Sequence, residues 1–150
     1  MTRIRIGAEA HGPYDAMAAF DRSIDVDSRL GELIKIRASQ INGCAYCIDM
    51  HTYQARRGGE TDRRMHALAA WHESHLFSPR ERAALALTDA ITRISDGGVP
   101  DDVYETAAGQ FNGPELAHVV MAIVAINAWN RIAVSTRATY EPPRDDASVV

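Results

Sequence analysis

The sequence predicts an all-α fold, and three observations predict it. No segment keeps the strict apolar–polar alternation of a half-buried strand. Apolar residues instead recur at steps of three and four along most of the chain, the spacing that lines one face of a helix. Start and stop signals bracket these stretches, among them Ser78-Pro79-Arg80-Glu81, Asn42-Gly43 and Asp96-Gly97-Gly98.

Taken in order, the first dozen residues read as extended or irregular. From Pro13 to about Ile24, the residues Tyr14, Met17, Ala18 and Phe20 have short helical spacing. A second helix starts at Asp27 or Ser28, both good N-caps, and Leu30, Leu33, Ile34, Arg37 and Ile41 mark its face. Asn42-Gly43 stops it, because glycine suits the left-handed position after a helix end. Cys44 then falls at or just before the start of a third helix, which runs to about Arg57 and ends at Gly58-Gly59. A fourth begins near Thr61 and carries Met65, Leu68, Ala69 and Trp71.

Ser78, Pro79 and Glu81 form a capping box, with Ser as N-cap, Pro at N1 and Glu at N3. Leu85, Leu87, Ala90, Ile91 and Ile94 continue that helix until Asp96-Gly97-Gly98. A short helix follows Pro100, with Val103, Tyr104, Ala107 and Ala108. Asn112-Gly113-Pro114-Glu115 opens the last and most apolar helix, to about Thr136. Val119, Val120, Ile123, Val124 and Ile126 cover most of its circumference, which predicts burial on more than one side, at a central position or a subunit interface. The total is about six to seven helices. The polar tail from Glu141 to Asp146, with two prolines, reads as fraying or packing as an arm.

The chain has 150 residues, enough for a single domain with a real core. A composition of 46% hydrophobic and 24% charged residues predicts a folded protein rather than a disordered one. A net charge of −4 argues against sequence-independent nucleic-acid binding. No charged n-region followed by an apolar stretch marks a signal peptide. The apolar run from Leu116 to Trp129 contains His118 and Asn127 and reads as too short and too polar for a membrane span of about 20 residues. The expected location is the cytoplasm. There, two close cysteines are more often catalytic, redox-active or metal-binding than a structural staple.

Those two cysteines carry the chemistry. Cys44-Ala45-Tyr46-Cys47 holds the only cysteines of the chain, and His51 follows four residues later. On a helix, positions 44, 47 and 51 share a face. Thiols one turn apart can close a disulfide, since that reaction needs Cα atoms about 5.5–6 Å apart. His51 can take or give the proton. Cys44, near a helix N-terminus, would have its thiolate favoured by the macrodipole. His51 instead faces Cys47 at i+4. Glu32, one helix upstream, could fix the tautomer of His51, although a glutamate in a first turn often does no more than complement the helix dipole. Outside this group, His66, His72 and His75 read as surface or interface residues, and His118 as a hydrogen-bonded core histidine. Trp71 and Trp129 read as core, and Arg56-Arg57 and Arg63-Arg64 as solvated helix charges.

Glu32, eleven residues, Cys44-x-x-Cys47, three residues and His51 together resemble the active-site signature of the alkylhydroperoxidase AhpD-like proteins of the carboxymuconolactone decarboxylase superfamily. The surrounding text is similar too: Glu32 to Arg37, Gln40 to Cys47, Asp49 to Thr52, Trp71 with Leu76-Phe77-Ser78, Glu81 to Leu85, and Ala128 to Arg131. The resemblance covers about residues 10 to 140. It implies an all-helical trimer or hexamer and a thiol peroxidase mechanism without a bound cofactor. By position, Cys47 would attack the peroxide, Cys44 would resolve the product into a disulfide, and His51 with Glu32 would relay the proton. A thiol or lipoyl-type reductant would regenerate the dithiol. One position departs: characterised relatives carry histidine before the second cysteine, where this chain has Tyr46. The decarboxylases of the superfamily lack the cysteine pair, so lactone decarboxylation is not expected. Two readings from other classes compete. One is a zinc site built from Cys44, Cys47, His51 and Glu32; the other is a redox-sensing helical assembly without peroxidase turnover.

Overall fold

The computed structural model of the protein describes residues 3–143. Among these residues it contains eight α-helices, two 3-10 turns and no strand. The helices are α1 (Ile6–Glu9), α2 (His11–Arg22), α3 (Ser28–Asn42), α4 (Ala45–Arg57), α5 (Asp62–Ala67), α6 (Pro79–Thr92), α7 (Asp101–Gln110) and α8 (Gly113–Thr136). The all-α expectation therefore holds. The helix beyond the expected six to seven is α1, a single turn in the segment read as extended or irregular. It packs back on α2, and four residues are too few to carry a visible period.

Element ends also differ from the sequence reading. α2 begins at His11, so Pro13 sits inside its first turn, where a missing N–H costs no helical hydrogen bond. It ends at Arg22 rather than Ile24. The helix begun at Thr61 stops at Ala67 and tightens into a 3-10 turn over Leu68–Ala70, which leaves Trp71 just beyond it. α6 stops at Thr92 because Arg93 leaves helical geometry (φ −100°, ψ 40°), and Ile94–Asp96 forms a separate 3-10 turn. Side-chain caps fix four starts: Asp27, Thr61, Ser78 and Asn112 each accept a backbone N–H, the last two in full capping boxes.

α3 is the hub, packed against α4, α6 and α8. One apolar cluster joins Leu30 and Ile34 of α3 to Ala84 and Leu87 of α6, Ala107 of α7, and Val119 and Ile123 of α8. A second gathers Leu33, Ile36, Met65, Leu68, Trp71, Phe77 and Leu85. Burying one such Leu or Ile contributes about 1.5–3 kcal/mol. A third and smaller cluster holds Ala38, Cys44, Cys47, Ile126 and Ala133, with Tyr46 and Trp129 half-buried against it. The cysteines thus lie where α3, α4 and α8 meet.

α8 corrects one expectation. It spans 24 residues, with a mean hydropathy of 1.4 in its most apolar 18-residue window, so by length and composition it is long enough to cross a membrane. In the fold it is a core helix, packed against α2, α3, α4, α6 and α7. Residues from Arg144 onward, including half of the tail over residues 141–146 expected to fray or form an arm, lie outside the described part of the chain.

Candidate functional site: a dithiol, a carboxylate–histidine pair and a cleft

The site is set by how α3 ends. Gly43 takes a left-handed conformation (φ 64°, ψ 34°), which costs a residue without Cβ little. The Gly43 N–H donates back to the Gln40 carbonyl at 3.3 Å and the Cys44 N–H to the Ser39 carbonyl at 2.9 Å. The chain reverses, and Cys44 becomes the N-cap of α4, its carbonyl accepting the Ile48 N–H at 3.0 Å. Cys47 falls in the first turn of α4 and His51 one turn later.

With α4 laid on α3, Glu32 and His51 meet. Glu32 Oε2 is 2.9 Å from His51 Nδ1, and the two side chains are 18% and 7% exposed. The pair is thus out of bulk water, and the carboxylate accepts the Nδ1 proton, leaving Nε2 as the proton-accepting nitrogen. Both cysteines are reduced and almost fully buried. Burial, reinforced by the hydrogen bond and the negative charge of neighbouring Cys44, pushes the Cys47 thiol up to about 12. Hydrogen bonds from Asn130 and Ser39 act against that rise. Burial, followed by the charges of Tyr14, Cys47, Tyr140 and Cys44, raises the Tyr46 hydroxyl above its usual range.

Asn130 and Ser39 belong to a polar network that the sequence reading did not assign to the site. Asn130 Nδ2 donates to Ser39 Oγ at 3.0 Å, and Ser39 Oγ donates to the Lys35 carbonyl. Asn42 Nδ2 donates to Oδ1 of both Asn127 and Asn130 at 2.9 Å. Asn127 Nδ2 donates to Thr92 Oγ1. The available signal was polar residues placed on otherwise apolar faces, with Asn127 and Asn130 one turn apart on α8. Read alone, Asn42 was only a helix stop.

A cleft of about 1030 Å³ opens over the dithiol. Cys47 and His51 both line it; Cys44 does not. Tyr14, Tyr46, Met50, Ile126, Trp129 and Ala133 form its apolar surface, and Arg3, Arg5, Lys35, Arg137 and Asp21 its polar part. Tyr14 and Trp129 meet edge to face at 5.3 Å, as do Tyr46 and Tyr140 at 5.7 Å.

Three single-residue expectations change. Trp129, read as core, is a half-buried wall of the cleft. Arg64, read as a solvated charge, is a tethered cation bonded to Glu60, Glu81 and the Leu76 carbonyl. His118 is only half-buried, accepting the Asp25 N–H at Nδ1. The zinc reading gains no support from the geometry: among the described residues no three His, Cys, Asp or Glu side chains are grouped as a metal site requires, and Glu32 is engaged by His51 Nδ1. His66, His72 and His75 are exposed as expected, with His72 stacked on Trp71.

Comparisons with known proteins give a family and a shared fold. Residues 13–90 match the sequence profile of the carboxymuconolactone decarboxylase family. An uncharacterized Bacillus subtilis (strain 168) protein, YdfG, is 43% identical over 119 residues, which span 79% of this chain and 81% of that one. A crystal structure from Agrobacterium tumefaciens, of a protein of unknown function described as an antioxidant defence protein AhpD, superposes with a TM-score of 0.90. Its identity is 38%, with 95% of this chain and 100% of that one covered. An uncharacterized peroxidase-related protein from Silicibacter sp. TM1040 shares the fold at 20% identity and a TM-score of 0.77, over 95% of this chain and 78% of that one.

Proposed function

The chain is an AhpD-like member of the carboxymuconolactone decarboxylase family, and from that premise we propose that it is a thiol-dependent hydroperoxidase acting as a single domain. The observation that carries this reading is the Glu32–His51 hydrogen bond beside a reduced Cys44–Cys47 pair.

A thiol held up at about 12 is a poor nucleophile at neutral pH without a base. His51, with Nδ1 anchored to Glu32, is that base, working through Nε2 from the same cleft. The Cys47 thiolate attacks the distal peroxide oxygen, so an S–O bond forms and the O–O bond breaks. The sulfur loses two electrons, and the leaving alkoxide takes a proton relayed by His51. The Cys44 thiol then displaces hydroxide from the Cys47 sulfenic acid, giving a disulfide and water. A thiol or lipoyl-type dithiol accepts the disulfide's oxidising equivalents and restores both thiols.

Cys47 is the attacking residue because it lines the cleft and Cys44 does not. A cytoplasmic location fits this reading, because a dithiol that is re-reduced in each cycle needs reducing surroundings. The exposed Met121 and Val124 on α8 support assembly into a homo-oligomer, a trimer or hexamer by family resemblance. The experiment is peroxide consumption with dithiothreitol or dihydrolipoamide, for the wild type and Cys47→Ser. Turnover lost in the variant supports the reading, and equal rates overturn it.

A further inference from the structure

Resting on the hydroperoxidase reading above, we infer that the substrate is an organic hydroperoxide bearing a carboxylate, an anionic amphipath of the fatty-acid hydroperoxide class. Three observations on the cleft lead there.

The first is size. Hydrogen peroxide is close in size to water, whose share of liquid volume is about 30 Å³. The cleft above Cys47 holds about 1030 Å³, the upper end of the range that encloses drug-sized molecules. A channel that served only hydrogen peroxide would not need this width.

The second is the lining. Tyr14, Met50, Ile126, Trp129 and Ala133 present carbon to the cleft beside the dithiol. An acyl chain removes that surface from water, and each CH₂ so buried contributes about 0.8 kcal/mol. Met50 adds a side chain that adapts to irregular chains.

The third is charge. The chain as a whole is at −4, yet among the described residues Arg3, Arg5, Lys35 and Arg137 gather around this opening against the one carboxylate of Asp21. Lys35 shares that carboxylate at 3.9 Å. Arg3 donates to the Ser135 carbonyl, a neutral partner that leaves its charge uncompensated and its other donors available. Guanidinium groups match carboxylates in a two-pronged geometry. An acyl hydroperoxide acid would lay its chain along the aromatic wall, hold its carboxylate at the basic rim and bring the peroxide to Cys47. The O–O cleavage proposed above would leave the corresponding hydroxy acid as the product.

Two measurements test this. In the first, reduced wild-type protein is titrated with decanoate and with decanol below their micelle concentrations, followed by tryptophan fluorescence. Decanoate should bind about tenfold tighter at low ionic strength, and the difference should shrink as salt rises from about 0.05 to about 0.5 M. In the second, kcat/KM with dithiothreitol is compared for a fatty-acid hydroperoxide and its methyl ester, in the wild type and in Arg5→Gln/Arg137→Gln. The acid should lead by about tenfold, and the double variant should erase most of that lead. If both hydroperoxides turn over at equal kcat/KM, the carboxylate inference falls while the hydroperoxidase reading stands. If decanoate binds with salt dependence but neither hydroperoxide is consumed, the anion-binding cleft stands and the hydroperoxidase reading falls. Equal, salt-independent binding of decanoate and decanol overturns the inference directly.

Discussion

Glu32 and His51 lie 19 positions apart in sequence and are joined at 2.9 Å between Oε2 and Nδ1. The contact exists because Gly43 reverses the chain and lays α4 on α3. It holds the imidazole with Nδ1 as donor, so that Nε2 is left as the acceptor.

The first prediction concerns this pair. His51→Ala should lower kcat/KM for a hydroperoxide by about 10²–10⁴, the usual range for a positioned general base. Glu32→Gln should cost less, about 10- to 100-fold, as when a carboxylate that orients a histidine is removed. A double variant separates the roles: if Glu32 acts through His51, Glu32→Gln should cost little more once His51 is already Ala. Costs that multiply in the double variant would mean that Glu32 acts independently of His51.

Much of this site was legible in the sequence, for physical reasons. Cys44, Cys47 and His51 are spaced by the helix itself, and Asn42-Gly43 announces the break that starts that helix. Glu32 was tied to His51 by the resemblance; along the chain alone it read as a first-turn glutamate, yet it lies past the first turn of α3, and its contact depends on the angle at which α4 returns over α3, which no local pattern encodes. Ser39, Asn42, Asn127 and Asn130 form their network across α3 and α8, so each looks like an isolated polar residue when read along the chain. Arg64 failed similarly, since its partners Glu60 and Glu81 come from both flanks of a turn. α1 was missed because one turn has no period to detect.

Cys47 itself yields the second prediction. With the thiol pushed up to about 12, only a trace of Cys47 is thiolate at pH 7. Alkylation of reduced protein at Cys47 by iodoacetamide should therefore rise about tenfold per pH unit and show no plateau through pH 9. Cys44 raises the Cys47 value through its hydrogen bond and charge, so Cys44→Ala should move the profile to lower pH. Stability follows the same sign. The unfolded thiol titrates near 9.0 and the folded one later, so the contribution is full below pH 9 and is lost as pH rises toward 12. A plateau in alkylation below pH 8 would contradict this account.

Asn130 supplies the third. Its Oδ1 accepts from Asn42 and its Nδ2 donates to Ser39, and it is 1% exposed. Asn130→Leu would strand buried partners on α3. The expected loss is about 1–3 kcal/mol in urea unfolding. Because Asn130 also lowers the Cys47 value, alkylation of the variant should shift to higher pH even after correction for its folded fraction. Asn127→Leu breaks the same network one turn earlier, where it bonds to Thr92, and should destabilise without moving the thiol.

The fourth concerns acid stability away from the dithiol. Burial alone would raise the Glu81 carboxyl, but hydrogen bonds from Arg64 and the Ser78 N–H, together with the Arg64 charge, outweigh it and hold the group below its usual range. A lowered folded value means stability that is present above the unfolded value of 4.5 and lost as pH falls through the folded one. Glu81→Gln keeps an amide oxygen to accept the Ser78 N–H but loses the charge that faces Arg64, and should therefore cost about 1–3 kcal/mol at pH 7. The difference between variant and wild type should narrow below pH 4.5, because protonation weakens the same contacts in the wild type. Urea unfolding at pH 7 and pH 3.5 measures this. A difference that stays constant between the two would mean that Glu81 acts through packing and capping geometry, with its charge contributing nothing.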